Sequence, residues 1–332
     1  MASRRDPVQS SVDGSRDLYD IATWDVRSPL DRVAVFVYRF LSATARFILV
    51  AVALLLLYQF IQFSSLSRVF NPVITGFTLL SVLPALALVV FVWRSDITSE
   101  PVSLLAATFA LGVLFAGFAA VVNDVGSRVL TVVPIVGPIW FYYLVVGPIE
   151  ETVKWLAVRL YAFRSVRFDA VIDGAVYGAV AGLGFATIEN ALYITNAVGM
   201  PVASNLLGAG GGITPVRAIA GPGHVIYAAF SGYYLGLAKF NPDRAGPIVV
   251  KGLLIAVFIH GTYNTLSFVP GIVAGLFDVP YFLALLGFVV VYDGFFGYFL
   301  FRKLARYRAA YRTAGNDGGR VPAGVERTEF ED

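Results

Sequence analysis

About eight stretches of the chain are long and apolar enough to cross a bilayer as helices, which takes about 20 mostly apolar residues each. They lie at about 43–64, 73–93, 101–122, 137–160, 169–195, 217–239, 247–268 and 278–302. The first three are rich in Leu, Val, Phe and Ala and free of interior charge, and they read as lipid-facing or scaffold helices. Segments four to seven carry more Gly, Ala, Tyr and polar groups. In the fifth, Gly174, Gly178 and Gly182 recur every fourth residue, with Gly184 beside them, so that face can accept a close neighbouring helix. The expected fold is all-α, a polytopic membrane helical bundle. A cytoplasmic segment at 1–42 precedes the membrane domain at 43–302, and a cytoplasmic, disordered tail follows at 303–332.

Charge fixes the expected orientation. Basic residues crowd the N-terminal segment, the connections holding Arg94, Arg159, Arg164, Arg167, Lys239 and Arg244, and the tail from Arg302 to Arg312. The alternate connections hold only Arg68, Arg128 and Arg217, and the one at about 269–277 has no Lys or Arg. The positive-inside rule then places both termini in the cytoplasm, consistent with an even number of spans. Residues 197–215, with Gly208–Gly212 at their centre, read as an outer loop that serves either as a lid or as a plain connector. With 58% hydrophobic and 14% charged residues the composition is that of a multi-pass cell-membrane protein. The basic excess serves topology and lipid headgroups, and no nucleic-acid partner is expected. The chain has no cysteine, which excludes disulfides, thiolate metal sites and a cysteine nucleophile.

Against this apolar background, four successive segments carry ionisable or amide groups: Glu150, Glu151 and Lys154; Glu189 and Asn190; His224; and His260 with Asn264. A charge at bilayer depth costs about 2.5–3.5 kcal/mol on insertion scales, so such residues mark a cavity or a bundle interior. The two histidines of the chain both fall in this set. Glu150 and Lys154 share a helix face, while Glu151 is turned by about 100°. One carboxylate can therefore face a cavity while the other is fixed by Lys154. His260 and Asn264, four apart, can converge on one carbonyl or one water, or simply bind another helix. Asp169 and Asp173 read as N-terminal capping residues. Asp293, deep in the eighth segment, has no assigned role beyond a partner such as a tyrosine hydroxyl.

The ordered motifs Glu150-Glu151-x-x-Lys154, Phe185-x-x-x-Glu189, His224 and His260-x-x-x-Asn264 resemble the CPBP/Abi (CAAX protease-like) superfamily of intramembrane proteases, and its PrsW branch in particular. Glu189 at the end of the second motif, followed by Asn190, and the pairs Asp173-Gly174 and Tyr177-Gly178 favour that branch. The resemblance covers about 138–264, within a protease-like core at about 137–268. It implies hydrolysis of peptide bonds in membrane-embedded or membrane-anchored substrates, with Glu150, Glu151, Glu189, His224, His260 and Asn264 as catalytic residues and Lys154 as a structural ion-pair partner. A glutamate activating water with histidine assistance is the preferred mechanism, without a cofactor. Zinc on His224, His260 and Glu150 is the alternative. A proton-coupled transporter or inactive scaffold is the competing class, since intramembrane acids and histidines also build proton relays. Counting residues along the spans expects the site in the outer half of the membrane.

Overall fold

The computed structural model describes residues 71–97, 99–134, 136–198, 206–241 and 245–316, with a few isolated helical positions before them. The N-terminal segment, the first expected span and the far end of the tail lie outside the described residues. The chain divides into the units Met1–Val52 and Ala53–Asp332, and every element below belongs to the second. Among the described residues the structure is helical throughout: α1 Pro72–Ser81, α2 Leu83–Trp93, α3 Val102–Leu130, α4 Val136–Phe141, a π-helical turn Tyr142–Val146, α5 Gly147–Leu160, a 3₁₀ turn Ala162–Arg164, α6 Val171–Val198, α7 Leu206–Phe240, α8 Ala245–Thr265, α9 Val269–Phe277 and α10 Tyr281–Asn316.

Among the described residues, four helical runs are long and apolar enough to cross a membrane: Val102–Leu130, Val171–Ala197, Ala245–Phe277 and Tyr281–Ala309. The bent pair α1–α2 makes a fifth if it is one span. These runs are not equivalent. The apolar stretch of α6 is 89% buried, against 28–33% for the other three, so α6 is the inner pillar and the others turn a face outward. One core joins α2, α6, α7, α8 and α10, through residues such as Val89, Val176, Phe230, Ile259 and Leu300.

The pillar and α7 pack backbone to backbone. A Cβ on Gly182 would strike the His224 carbonyl, and one on Gly178 the Ala228 carbonyl. The four-residue glycine row thus brings α7 against α6 at the level of His224.

Three expected features differ from the structure. The second segment is broken at Val82 and bent by 44°, because Pro84 cannot donate to the carbonyl one turn back. The outer connection at 269–277 is helix α9, which extends the seventh segment. The glycine-rich stretch Gly208–Gly212 is not a loop but the first turns of α7. Glycine disfavours helix by about 1 kcal/mol per residue, yet packing of Ile213 against Ile74 and Ile194 holds this end in place. Residues 199–205 of the expected loop lie outside the described residues.

The π turn also has a local cause. Pro148 lacks an N–H, and its ring would clash with the carbonyl four residues back if α4 ran straight into α5. Widening the turn, with the Gly147 N–H bonded to the Tyr142 carbonyl, relieves this immediately before Glu150.

Because the atoms facing Gly178 are backbone and cannot rotate away, we predict that Gly178→Leu lowers stability by at least about 1–3 kcal/mol, as overpacking does. Thermal unfolding in detergent measures this; an unchanged melting temperature contradicts the close packing.

Candidate active site

The polar residues of α5, α6, α7 and α8 meet at one cavity of about 510 Å³, lined among others by Glu150, Glu189, Arg217, His224, His260 and Asn264. Five of the six expected catalytic residues are thus brought together; Glu151, with its expected ion-pair partner Lys154, is not among the lining residues. Glu151 and Lys154 are fully buried, and their side chains form the central contact: Lys154 Nζ donates to Glu151 Oε1 at 2.7 Å. Phe185 lies 4.4 Å from the same ammonium, ring face on, and packs beside His224 with centroids 5.4 Å apart.

These contacts fix the histidine tautomers. A carboxylate only accepts and an ammonium only donates. The His260 Nδ1–H therefore donates to Glu151 Oε1 at 2.8 Å, leaving Nε2 aimed elsewhere. His224 has the opposite arrangement: its Nδ1 accepts from Lys154 Nζ at 3.0 Å, and its Nε2–H donates to Glu189 Oε2 at 2.7 Å.

Glu150 is the open carboxylate. Its Oε1 accepts from Asn123 Nδ2 at 2.9 Å, and its buried Oε2 has no hydrogen-bond partner. That oxygen stands 3.7 Å from His260 Nε2 and 3.9 Å from Lys154 Nζ. A proton, a water or a cation can bridge two atoms so placed. Glu150, His224 and His260 can each offer one donor atom such that all three lie within 4.8 Å of one another. Two imidazoles and a carboxylate, open to a cavity, are a donor set that fits zinc.

The division between one free and one fixed glutamate matches the helix geometry of the motif. Asp293 accepts from the Tyr227 hydroxyl at 3.1 Å, the kind of partner expected for it. Asp173 Oδ2 accepts from the backbone N–H groups of Asp169 and Ala170 at 2.7 and 2.8 Å, a helix-start cap as expected.

Two site residues escaped the sequence reading. Arg217, taken there as a loop charge, lies on α7: its Nη2 donates to Glu189 Oε2 at 2.6 Å and its Nε to Asn190 Oδ1 at 2.9 Å. Asn190 is in turn held by Ser81, with Nδ2 donating to Ser81 Oγ at 3.0 Å. Asn123 lies one residue past the expected end of an apparently inert span, on a helix that runs to Leu130. Helical continuation past the apolar window was the available signal for Asn123. For Arg217 it was the helical phase shared with His224, seven residues on.

A family model described as "PrsW family intramembrane metalloprotease" matches residues 100–295, more than half of the chain and all four motif-bearing helices. The chain belongs to the PrsW family of intramembrane proteases. It is 30% identical over 189 residues to the Protease PrsW of Bacillus subtilis (strain 168), covering 54% of this chain and 78% of that protein. To the Protease PrsW of Geobacillus kaustophilus (strain HTA426) it is 32% identical over 195 residues, covering 57% and 80%. No solved structure matches it.

Lys154→Met would leave Glu151 as a buried, uncompensated charge. Breaking one side of such a pair typically costs about 3–5 kcal/mol, so we predict a strongly lowered melting temperature. A melting temperature equal to wild type would show that Lys154 is not what neutralises Glu151.

Proposed function

We propose that this PrsW-family chain is an endopeptidase that cleaves membrane-embedded or membrane-anchored protein substrates inside the cavity, with Glu150, His224 and His260 as its reacting core. The observation that carries this reading is the convergence of those three side chains beneath the cavity, with Glu150 Oε2 and His260 Nε2 facing each other at 3.7 Å. A scissile carbonyl entering the cavity meets that pair, where a water between them is oriented for attack. Glu151 orients His260 through Nδ1, and Glu189, clamped by Arg217, orients His224. Asn264, on the cavity wall one turn beyond His260, is placed to donate to the developing oxyanion, a role worth about 3–4 kcal/mol for a single donor.

Zinc held by Glu150, His224 and His260 would supply a bound water with its pKa lowered to about 7. The donor set and the description of the family as metalloproteases favour this reading. In that case Glu151 and Glu189 serve as carboxylate partners that orient the ligating imidazoles.

A second reading, a metal-free glutamic mechanism, is favoured by Lys154. Its ammonium occupies the His224 lone pair and lies 3.9 Å from Glu150, a position that opposes a second cation. Glu150 would then take the proton of the attacking water itself. The wider assignment to the CPBP/Abi superfamily rests on the same ordered motifs.

Both readings require Glu150. We predict that Glu150→Gln abolishes cleavage of a membrane-embedded peptide while the protein stays folded, because shape is kept and only the charge is lost. Full activity in this variant excludes it from the core. Metal analysis of purified, active protein decides between the two readings. About one zinc per chain, with activity lost on chelation and restored by zinc, selects the metal reading; full activity without metal selects the glutamic one.

We further place the protein in the cell membrane as a bundle of about eight spans with both termini cytoplasmic and the cavity opening outward. The alternation of basic connections supports this. So does the cavity lining, which gathers Asn123, Arg217, Ser267 and Tyr281, all from the helix ends assigned to the outer side. Val132 and Val166, 72% and 90% exposed, lie in turns assigned to opposite sides. In this cysteine-free chain an impermeant thiol reagent on intact cells should label Val132→Cys and spare Val166→Cys. The reverse pattern inverts the topology.

A further inference from the structure

A second group of acids lies at the other end of the pillar. Asp96 and Glu100 belong to the connection between α2 and α3, and Asp173 to the first turn of α6. Each can offer one carboxylate oxygen such that the three atoms lie within 4.8 Å of one another. Asp173 and Glu189 are sixteen residues apart on one helix, so this group is about 24 Å from the catalytic cavity.

The oxygens of Glu100 and Asp173 are only half used. Glu100 is 4% exposed and Asp173 fully buried. Glu100 Oε2 accepts from the Tyr177 hydroxyl, and Asp173 Oδ2 accepts the two backbone N–H groups of its cap. The other oxygen of each, Glu100 Oε1 and Asp173 Oδ1, is buried with no hydrogen-bond partner. Among the described residues no Lys or Arg forms an ion pair with Glu100 or Asp173. The adjacent Lys239 directs its ammonium to the Phe163 and Ser165 carbonyls at 2.8 and 3.1 Å. Buried carboxylates persist when paired or when they coordinate a metal. Here the first oxygens hold the side chains in place and the second ones remain free.

We propose that Asp96, Glu100 and Asp173 form a binding site for one hard divalent cation, of the Mg²⁺, Ca²⁺ or Mn²⁺ class. An all-oxygen donor set with no nitrogen or sulfur selects that class over zinc. The ion ties the α2–α3 connection to the start of α6, at the foot of the helix that carries Glu189. It is a structural clamp, separate from the reacting core and independent of how that core works.

The test uses the full chain in detergent or nanodiscs after chelation. Saturating Mg²⁺ or Ca²⁺ should raise the melting temperature of wild type by about 5 °C, the shift expected for an ion that binds only the folded state. Glu100→Gln and Asp173→Asn should lose that rise. Asp96→Asn, at the partly exposed member, is the gentler variant if either of those fails to fold. Electron paramagnetic resonance should show one Mn²⁺ per chain displaced by Mg²⁺ in wild type, and none so displaced in Glu100→Gln. No ion-dependent rise in wild type, or the same rise in all three variants, overturns the site. So does Mn²⁺ that Mg²⁺ fails to displace.

Discussion

The buried pair of Lys154 and Glu151 is the constraint on which the site depends. An ammonium inside an apolar bundle survives only if a carboxylate stands against it. Lys154 meets Glu151 at 2.7 Å and His224 at 3.0 Å, while Glu151 also receives His260. The Lys154–Glu151 pair thereby sets the role of Nδ1 in both histidines, acceptor in His224 and donor in His260. His260 Nε2 is left 3.7 Å from Glu150 because Glu151 holds the other nitrogen.

Neutralisation around the cavity follows the same rule at Glu189 and stops short at Glu150. Glu189 is matched by Arg217, and Arg217 by Asn190 and Glu189 together. Glu150 receives one amide bond from Asn123 and nothing on its second oxygen. Buried polar groups are as a rule paired, and an unpaired carboxylate oxygen 3.7 Å from a histidine nitrogen at a cavity marks where substrate, water or metal is to come.

This arrangement needs four helices within side-chain reach, which the glycine row of α6 provides. Without Cβ atoms at Gly174, Gly178 and Gly182 the α7 backbone lies directly on the pillar, so His224 approaches Glu189 from the neighbouring helix. The kink at Val82 lets Ser81 hold Asn190, and the π turn before Gly147 resolves the Pro148 clash just ahead of Glu150. Both distortions begin with a proline that cannot donate to the turn before it. At the far end of the same pillar, Asp173 caps the helix with one oxygen and keeps its second without a hydrogen-bond partner.

The sequence by itself determined the helical class, the close-packing face of α6 and five polar residues that line the cavity, because these follow from local rules. Hydropathy, a four-residue glycine repeat and charges placed in apolar segments are properties of short windows. It also limited the roles of the glutamates, since adjacent residues on a helix cannot face one way. Which glutamate is free was decided only by tertiary structure, because that depends on where Lys154, His260 and Asn123 come to lie. Arg217 and Asn123 were missed for the same reason: a charge beside glycines and an amide past a hydrophobic stretch look like loop residues until neighbouring helices extend them inward. Gly208–Gly212, poor helix formers read alone, are helical because Ile213 packs on Ile74 and Ile194. Local propensity is worth about 1 kcal/mol per residue, and burial against distant segments exceeds it.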